Sequence, residues 1–331
     1  MTDVVALAAE LLAIPSSTGD ERAVVDFVAR WLIARGWNVH VQEVSKGRGN
    51  VWASRAGGGV ALSTHLDTVP PYIPPRLDGD HLYGRGSCDA KGIAAAMMAA
   101  ADRLAASGEQ RVDLLLVVGE EKGSDGARAA NRLTPTSRFL VNGEPTESKL
   151  ASGAKGSQRV MVRTRGRAAH SAYPHLGKSA IEPLLALLPT VHALDMPSDP
   201  LLGKTTVNIG VVHGGTEANI IPENAEAELM FRLVGDVAPL RKALEKWAKG
   251  KAELEYGSFI PAQHFHVIPG FETAPVAYTS DIPLLDRWGT PLLFGPGSIH
   301  VAHTVDEHIP VPELRAAVDA YERIVRTLLK S

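Results

Sequence analysis

The run Val112–Val118 constrains this chain more than any other segment. Half-exposed strands alternate apolar with polar residues, and this run does not alternate. It reads as a strand buried on both faces, the kind found where helices cover both sides of a parallel sheet. Its neighbours fit that setting. Strands are predicted at Trp37–Val44, Asn50–Ser54, Val60–His65 and Arg138–Val141, and helices at Glu21–Arg35, Lys91–Ala106 and Gly126–Leu133. Ser17, Thr18 or Asp20 can cap the first of these helices, and Gly36 can stop it. Alternating helices and apolar strands predict an α/β domain with a mostly parallel sheet.

The pattern changes after about Leu150. Arg159–Arg163 alternates as a half-exposed strand, Lys178–Leu194 is helical, and Lys204–Val212 and Ala225–Leu233 are strands. A helix over Asp236–Lys249 and a strand over Lys251–Tyr256 follow. That β-α-β-β-α-β order belongs to a ferredoxin-like α+β domain. The α/β character then returns and ends in a helix at Pro312–Leu329. The expected architecture is one α/β domain, residues 1–152 and 257–331, interrupted by an inserted domain at 153–256.

A length of 331 residues exceeds what one hydrophobic core usually serves, which agrees with two domains. The net charge is −3 and the basic residues are scattered, so neither a nucleic-acid surface nor a polybasic membrane patch is expected. No apolar run is long enough to span a bilayer. Met1–Ile14 lacks a basic leader and reads as an amphipathic helix, not a signal peptide. The single cysteine, Cys88, excludes an intramolecular disulfide and fits a reducing compartment, so the cytoplasm is the expected location.

The chemistry collects at predicted strand ends. His65 and Asp67 close an apolar strand and, two apart, point the same way. Asp89 follows Gly84-Arg85-Gly86 just before a helix. The glycines complete neither a dinucleotide nor a Walker loop, and an acid at this point would repel a phosphate. Asp89 either presents a carboxylate from a tight turn or caps the helix. Glu120 and Glu121 follow the apolar run, where two carboxylates are costly unless a cation or hydrogen bonds compensate them. Glu144 ends the next strand, and His303 lies in a late loop with His300 as a competitor. Nitrogen and oxygen donors without thiolates suit zinc, and also cobalt or manganese. Five such ligands with one bridging carboxylate would hold two metals about 3.5–4 Å apart.

Five ordered motifs carry a resemblance. His65-Leu66-Asp67-Thr68-Val69-Pro70, Gly84-Arg85-Gly86-x-x-Asp89-x-Lys91-Gly92, Glu120-Glu121, Gly143-Glu144-Pro145 and the late His303 resemble the M20 metallopeptidase family. The resemblance implies a di-zinc hydrolase domain with an inserted lid that also forms a homodimer interface. It implies His65, Glu121, Glu144 and His303 as zinc ligands and Asp89 as the bridging carboxylate. Asp67 resembles the acid that orients His65, and Glu120 the general base. In the lid, His170 resembles a residue reaching the neighbouring subunit's active site. Asn219 and Arg232 resemble residues holding the substrate's carboxylate and reacting carbonyl, and Thr279-Ser280-Asp281 a substrate-side loop, with Thr279 a binding residue.

There are departures. Thr64 stands where many members have Gly, and Glu144, where others have Asp, leans toward the acetylornithine deacetylase and succinyl-diaminopimelate desuccinylase branch. The expected activity is therefore metal-dependent removal of an acyl group from an N-acyl amino acid. The alternative is a dipeptidase or carboxypeptidase acting on a short peptide. A non-catalytic binding protein would show damage at Glu120 or the ligands, and none is seen. A two-metal phosphoesterase would use basic groups such as Lys91 and Arg85, but the resemblance is to amide-cleaving enzymes.

Overall fold

Val112–Val117 forms a strand with every residue buried, inside a six-stranded sheet. The structure, a computed structural model, describes residues 2–331. The sheet runs Asn38–Ser45, Arg48–Ser54, Val112–Val117, Val60–His65, Phe139–Asn142, Thr290–Leu293 in spatial order. The last four are mutually parallel, while Asn38–Ser45 and Arg48–Ser54 form an antiparallel hairpin at one edge. The parallel strands end toward the same side, where open α/β sheets hold ligands.

Helices form where the apolar period demands. Lys91–Ala106 is rich in Ala and mostly buried, so its small side chains let it lie close against the Val4–Leu12 and Val311–Leu328 helices. Val311–Leu328 buries Leu314, Ala317, Val318, Tyr321, Ile324, Val325 and Leu328, one stripe at helical spacing. The opposite side of the sheet carries a smaller cluster around Leu115, Val117, Leu140 and Trp288, with Trp52 edge-on to Trp288 at 5.6 Å. The strand's apolar reading overlooked one residue. Asp113 lies inside the run and is 2% exposed.

Chain contacts divide the described residues into two compact units. The sheet and its helices belong to the first, which comprises residues up to 152, 265–274 and 280–331. The second, 153–264 and 275–279, holds a four-stranded antiparallel sheet in the order Thr206–Gly214, Asn224–Leu233, Gly156–Arg165, Glu253–Ile260. With helices Ile181–Leu187 and Val237–Ala248 packed on it, this is the ferredoxin-like arrangement the order of elements predicted.

Two boundaries differ from the sequence reading. The second unit does not stop at residue 256, because the last strand continues to Ile260 and Gln263–His264 pairs with Gly153–Ala154. The helix expected over Lys178–Leu194 is α-helical only over Ile181–Leu187 and tightens to a 3-10 helix over Leu188–Ala193. Pro189 lacks the N–H that would continue the α pattern. No helix of the described residues is long and apolar enough to cross a membrane.

Candidate metal centre

His65 is the last residue of a buried strand, so its imidazole emerges at the carboxyl edge of the sheet. Its Nδ1 lies 2.9 Å from the Asp67 backbone carbonyl, which directs Nε2 to Asp89 Oδ1 at 3.0 Å. The expected carboxylate behind the ring is displaced. The Asp67 carboxylate is 3.6 Å from Nδ1 and is engaged elsewhere. It accepts the backbone N–H groups of Glu120 at 3.0 Å and Glu121 at 3.2 Å, and the Thr18 hydroxyl at 2.7 Å. Asp67 therefore orients His65 through its carbonyl and pins the Glu120-Glu121 turn through its side chain. Thr18, read as a helix cap, serves this carboxylate instead, and the helix starts at Arg22 without a side-chain cap.

Asp89 does not cap the helix either; Ala90 holds that position without a side-chain cap bond. Gly84 and Gly86 have φ of +141° and +91°, which glycine alone adopts without strain, and the turn they make delivers Asp89 into the interior. The two Asp89 oxygens face different histidines: Oδ1 meets His65, and Oδ2 lies 3.2 Å from His303 Nε2. His303 Nε2 also lies 3.1 Å from Glu121 Oε1. His303 has φ of +64°, an uncommon conformation for a histidine and one often seen at functional sites. His300, its competitor, is exposed and faces none of these groups in the hydrogen bonds of its loop.

One donor atom each from His65, Asp89 and Glu121 lies within 4.8 Å of the others. Glu144 follows the neighbouring strand, and its Oε1 is buried without a hydrogen-bond partner. Such an orphaned acceptor among carboxylates is costly unless a cation meets it. Two imidazoles and three carboxylates without a thiolate form the donor set of zinc, cobalt or manganese. The residues present thus fit divalent-cation binding.

The electrostatics agree. Burial acts against the His65 cation, yet Asp67 and Asp89 hold its pKa well above the usual range. Hydrogen bonds donated to the Asp89 and Glu121 carboxylates push His303 up to about 10. Burial works to raise Asp89, but His303 and His65 hold it below the usual range. Burial, then the Asp281 charge, pushes Glu120 well above the usual range. Burial, then Glu120, does the same to Glu144.

The structure also shows groups the sequence reading left in the background. Asp281 is fully buried, both its oxygens lack a hydrogen-bond partner, and burial pushes it up to about 6. Lys91 is buried with its ammonium on the Ile14 carbonyl, and burial lowers its pKa to about 7. Cys88 is buried, and burial together with Glu307 and Asp89 pushes its thiol well above the usual range. Each stood in a quoted motif, but no local signal told which neighbour it would meet.

His170, Asn219, Arg232 and Thr279 lie in the second unit. His170 is exposed, and its Nδ1 accepts the Ala172 N–H at 3.1 Å, leaving Nε2 to carry the proton as a free donor. Ala169-His170 pairs with Ile220-Ile221, and the Ser171 N–H reaches the Asn219 carbonyl at 2.9 Å, so His170 and Asn219 come together. Arg232 is half-buried and joins none of the ion pairs that link Arg159, Arg163 and Arg165 to Glu226, Glu228, Glu253 and Glu255. Burial and the Arg159 charge lower its pKa. The unit boundary passes through the expected loop, leaving Thr279 in the second unit and Ser280-Asp281 in the first.

Comparison with known proteins agrees with this geometry. A peptidase M20 domain-containing protein of Schizosaccharomyces pombe is 39% identical over 336 residues, covering 98% of this chain and 84% of that protein. A probable carboxypeptidase of Aspergillus flavus is 37% identical over 372 residues, covering 97% of this chain and 86% of its own length. The crystal structure of a tripeptidase from Staphylococcus aureus superposes with a TM-score of 0.82 at 21% identity, covering 99% of this chain and 98% of that one. The profile of peptidase family M20/M25/M40 matches residues 61–327. With that match laid over a centre built for divalent cations, the chain belongs to peptidase family M20/M25/M40 and is a metal-dependent hydrolase of C–N bonds.

Proposed function

We propose that this protein is a two-zinc exopeptidase that cleaves short peptides bearing a free terminal carboxylate. The observation carrying the two-metal part is Asp89, whose oxygens divide between His65 and His303. The sequence reading placed an N-acyl amino acid deacylase first. The probable carboxypeptidase among the relatives moves the peptide-cleaving alternative ahead of it.

His65, Asp89, Glu121, Glu144 and His303 would hold two zinc ions, which when bound would supply a water of lowered pKa and Lewis-acid polarisation of the scissile carbonyl. Glu120 takes the proton of the attacking water and returns it to the departing amine. Burial, then the Asp281 charge, raises its pKa, the direction that favours accepting a proton. His170, a donor at Nε2, stabilises the oxyanion in the neighbouring subunit of a homodimer formed through the inserted unit. Preorganised donors of this kind are typically worth about 2.7–4 kcal/mol. Asn219 and Thr279 position the substrate. Arg232 takes the terminal carboxylate, a bidentate partner that its own sheet does not supply.

The deacylase reading is kept alive by Glu144, which resembles that branch. The test is turnover, with zinc or cobalt added, of dipeptides and tripeptides, their C-terminally amidated forms, N-acetylornithine and N-succinyl-diaminopimelate. Cleavage of free peptides but not of amidated ones is expected. Turnover confined to the acyl amino acids would return the assignment to a deacylase, and turnover of nothing would remove the hydrolase proposal.

A further inference from the structure

Glu307 lies four residues beyond His303 and is 1% exposed. Its Oε1 accepts the backbone N–H groups of Gly86 at 2.9 Å, Cys88 at 3.4 Å and Asp89 at 3.3 Å. Its Oε2 accepts Arg85 Nη1 at 2.6 Å, and Arg85 is itself 2% exposed. Its backbone carbonyl accepts the Gly84 N–H at 3.0 Å. One residue thus gathers the turn that ends in Asp89 and ties it to the segment that carries His303.

Every backbone and guanidinium group around this side chain donates. A carboxylate alone offers enough lone pairs with no hydrogen of its own; a glutamine amide would aim a donor at Arg85 or at the turn. Two buried charges of this kind are a weak source of stability, since apolar residues of similar volume often serve as well. What apolar residues could not do is hold three N–H groups of one turn in a fixed direction.

We propose that Glu307, neutralised by Arg85, is a positioning residue for the cation pair: it locks the Gly84–Asp89 turn so that Asp89 meets His65 and His303 together. The inference rests on the two-cation reading of the centre. Groups that orient metal ligands typically change affinity about 10–100-fold when altered.

The test is titration of metal-free protein with cobalt(II), followed by the visible d–d absorption. The native chain, Glu307→Gln and the double variant Arg85→Met/Glu307→Gln are compared well below each melting temperature. The native protein should bind two equivalents. Both variants, folded by circular dichroism, should bind cobalt about 10–100-fold more weakly and with an altered absorption envelope. A folded variant with native cobalt affinity and spectrum overturns the positioning role, whatever its melting temperature, because a purely structural clamp moves only the melting. Failure of the native chain itself to bind cobalt overturns the two-cation reading and this inference with it. Should neither variant fold, hydrogen exchange of the native metal-free protein decides. Slow exchange at Gly86, Cys88 and Asp89 supports the clamp, and exchange at the rate of an open loop overturns it.

Discussion

Asp113→Asn should stabilise the metal-free protein above pH 6 and give no such gain near pH 4. Asp113 is on the buried Val112–Val117 strand and, by alternation, shares a face with Leu115 and Val117. Its Oδ1 has no hydrogen-bond partner, and burial pushes its pKa from 3.8 up to about 6, the Trp52 indole opposing. A difference of about two units, at about 1.4 kcal/mol each, makes ionising this group in the fold cost roughly 3 kcal/mol. The folded pKa lies above the unfolded one. The stability tied to the protonated acid is therefore fully present below about pH 4 and lost as pH rises through about 6. Asparagine does not titrate and loses none of it. Burying an amide adds its own offset, but that offset does not change with pH. The assay is thermal melting of both proteins in chelator from pH 4 to pH 8. At about 2–4 °C per kcal/mol for a unit this size, the gap in Tm should widen by roughly 6–12 °C toward pH 8. Parallel Tm profiles would refute the reasoning, since they would mean that the carboxylate ionises in the fold as easily as in water.

Glu120→Ala should keep both cations by elemental analysis while kcat falls about 100- to 10,000-fold, because Glu120 makes none of the ligand contacts that link His65, Asp89, Glu121 and His303; retained turnover would end its assignment as base. Asp89→Ala removes the group both histidines face, so metal content should drop from two equivalents to one or none, and a full complement would show that Asp89 is not shared. Arg232→Met should raise KM about 10- to 100-fold for peptides with a free terminal carboxylate and leave amidated peptides little changed, a charge-assisted bond being worth about 1.5–3 kcal/mol. An equal effect on both substrates would place Arg232 away from the carboxylate.

The sequence by itself determined the elements and the donor types. Residues that end apolar strands must surface at one edge of a parallel sheet, so His65, Glu120, Glu121 and Glu144 were legible as a group without coordinates. The order of elements after Leu150 likewise implied the inserted antiparallel sheet. Local pattern reaches no further than that. Asp113 was hidden because a single acid does not disturb the hydropathy of a seven-residue run. The His65 ring bonds the Asp67 carbonyl while the carboxylate turns to Glu120 and Glu121, a choice between two acceptors on one residue that only packing makes. Arg85 and Glu307 stand 222 residues apart, and each alone reads as an ordinary surface charge. Only the tertiary structure decided that they meet in the interior, because removing both from water is tolerable only when the paired guanidinium and the turn's N–H groups are already in place to receive the carboxylate.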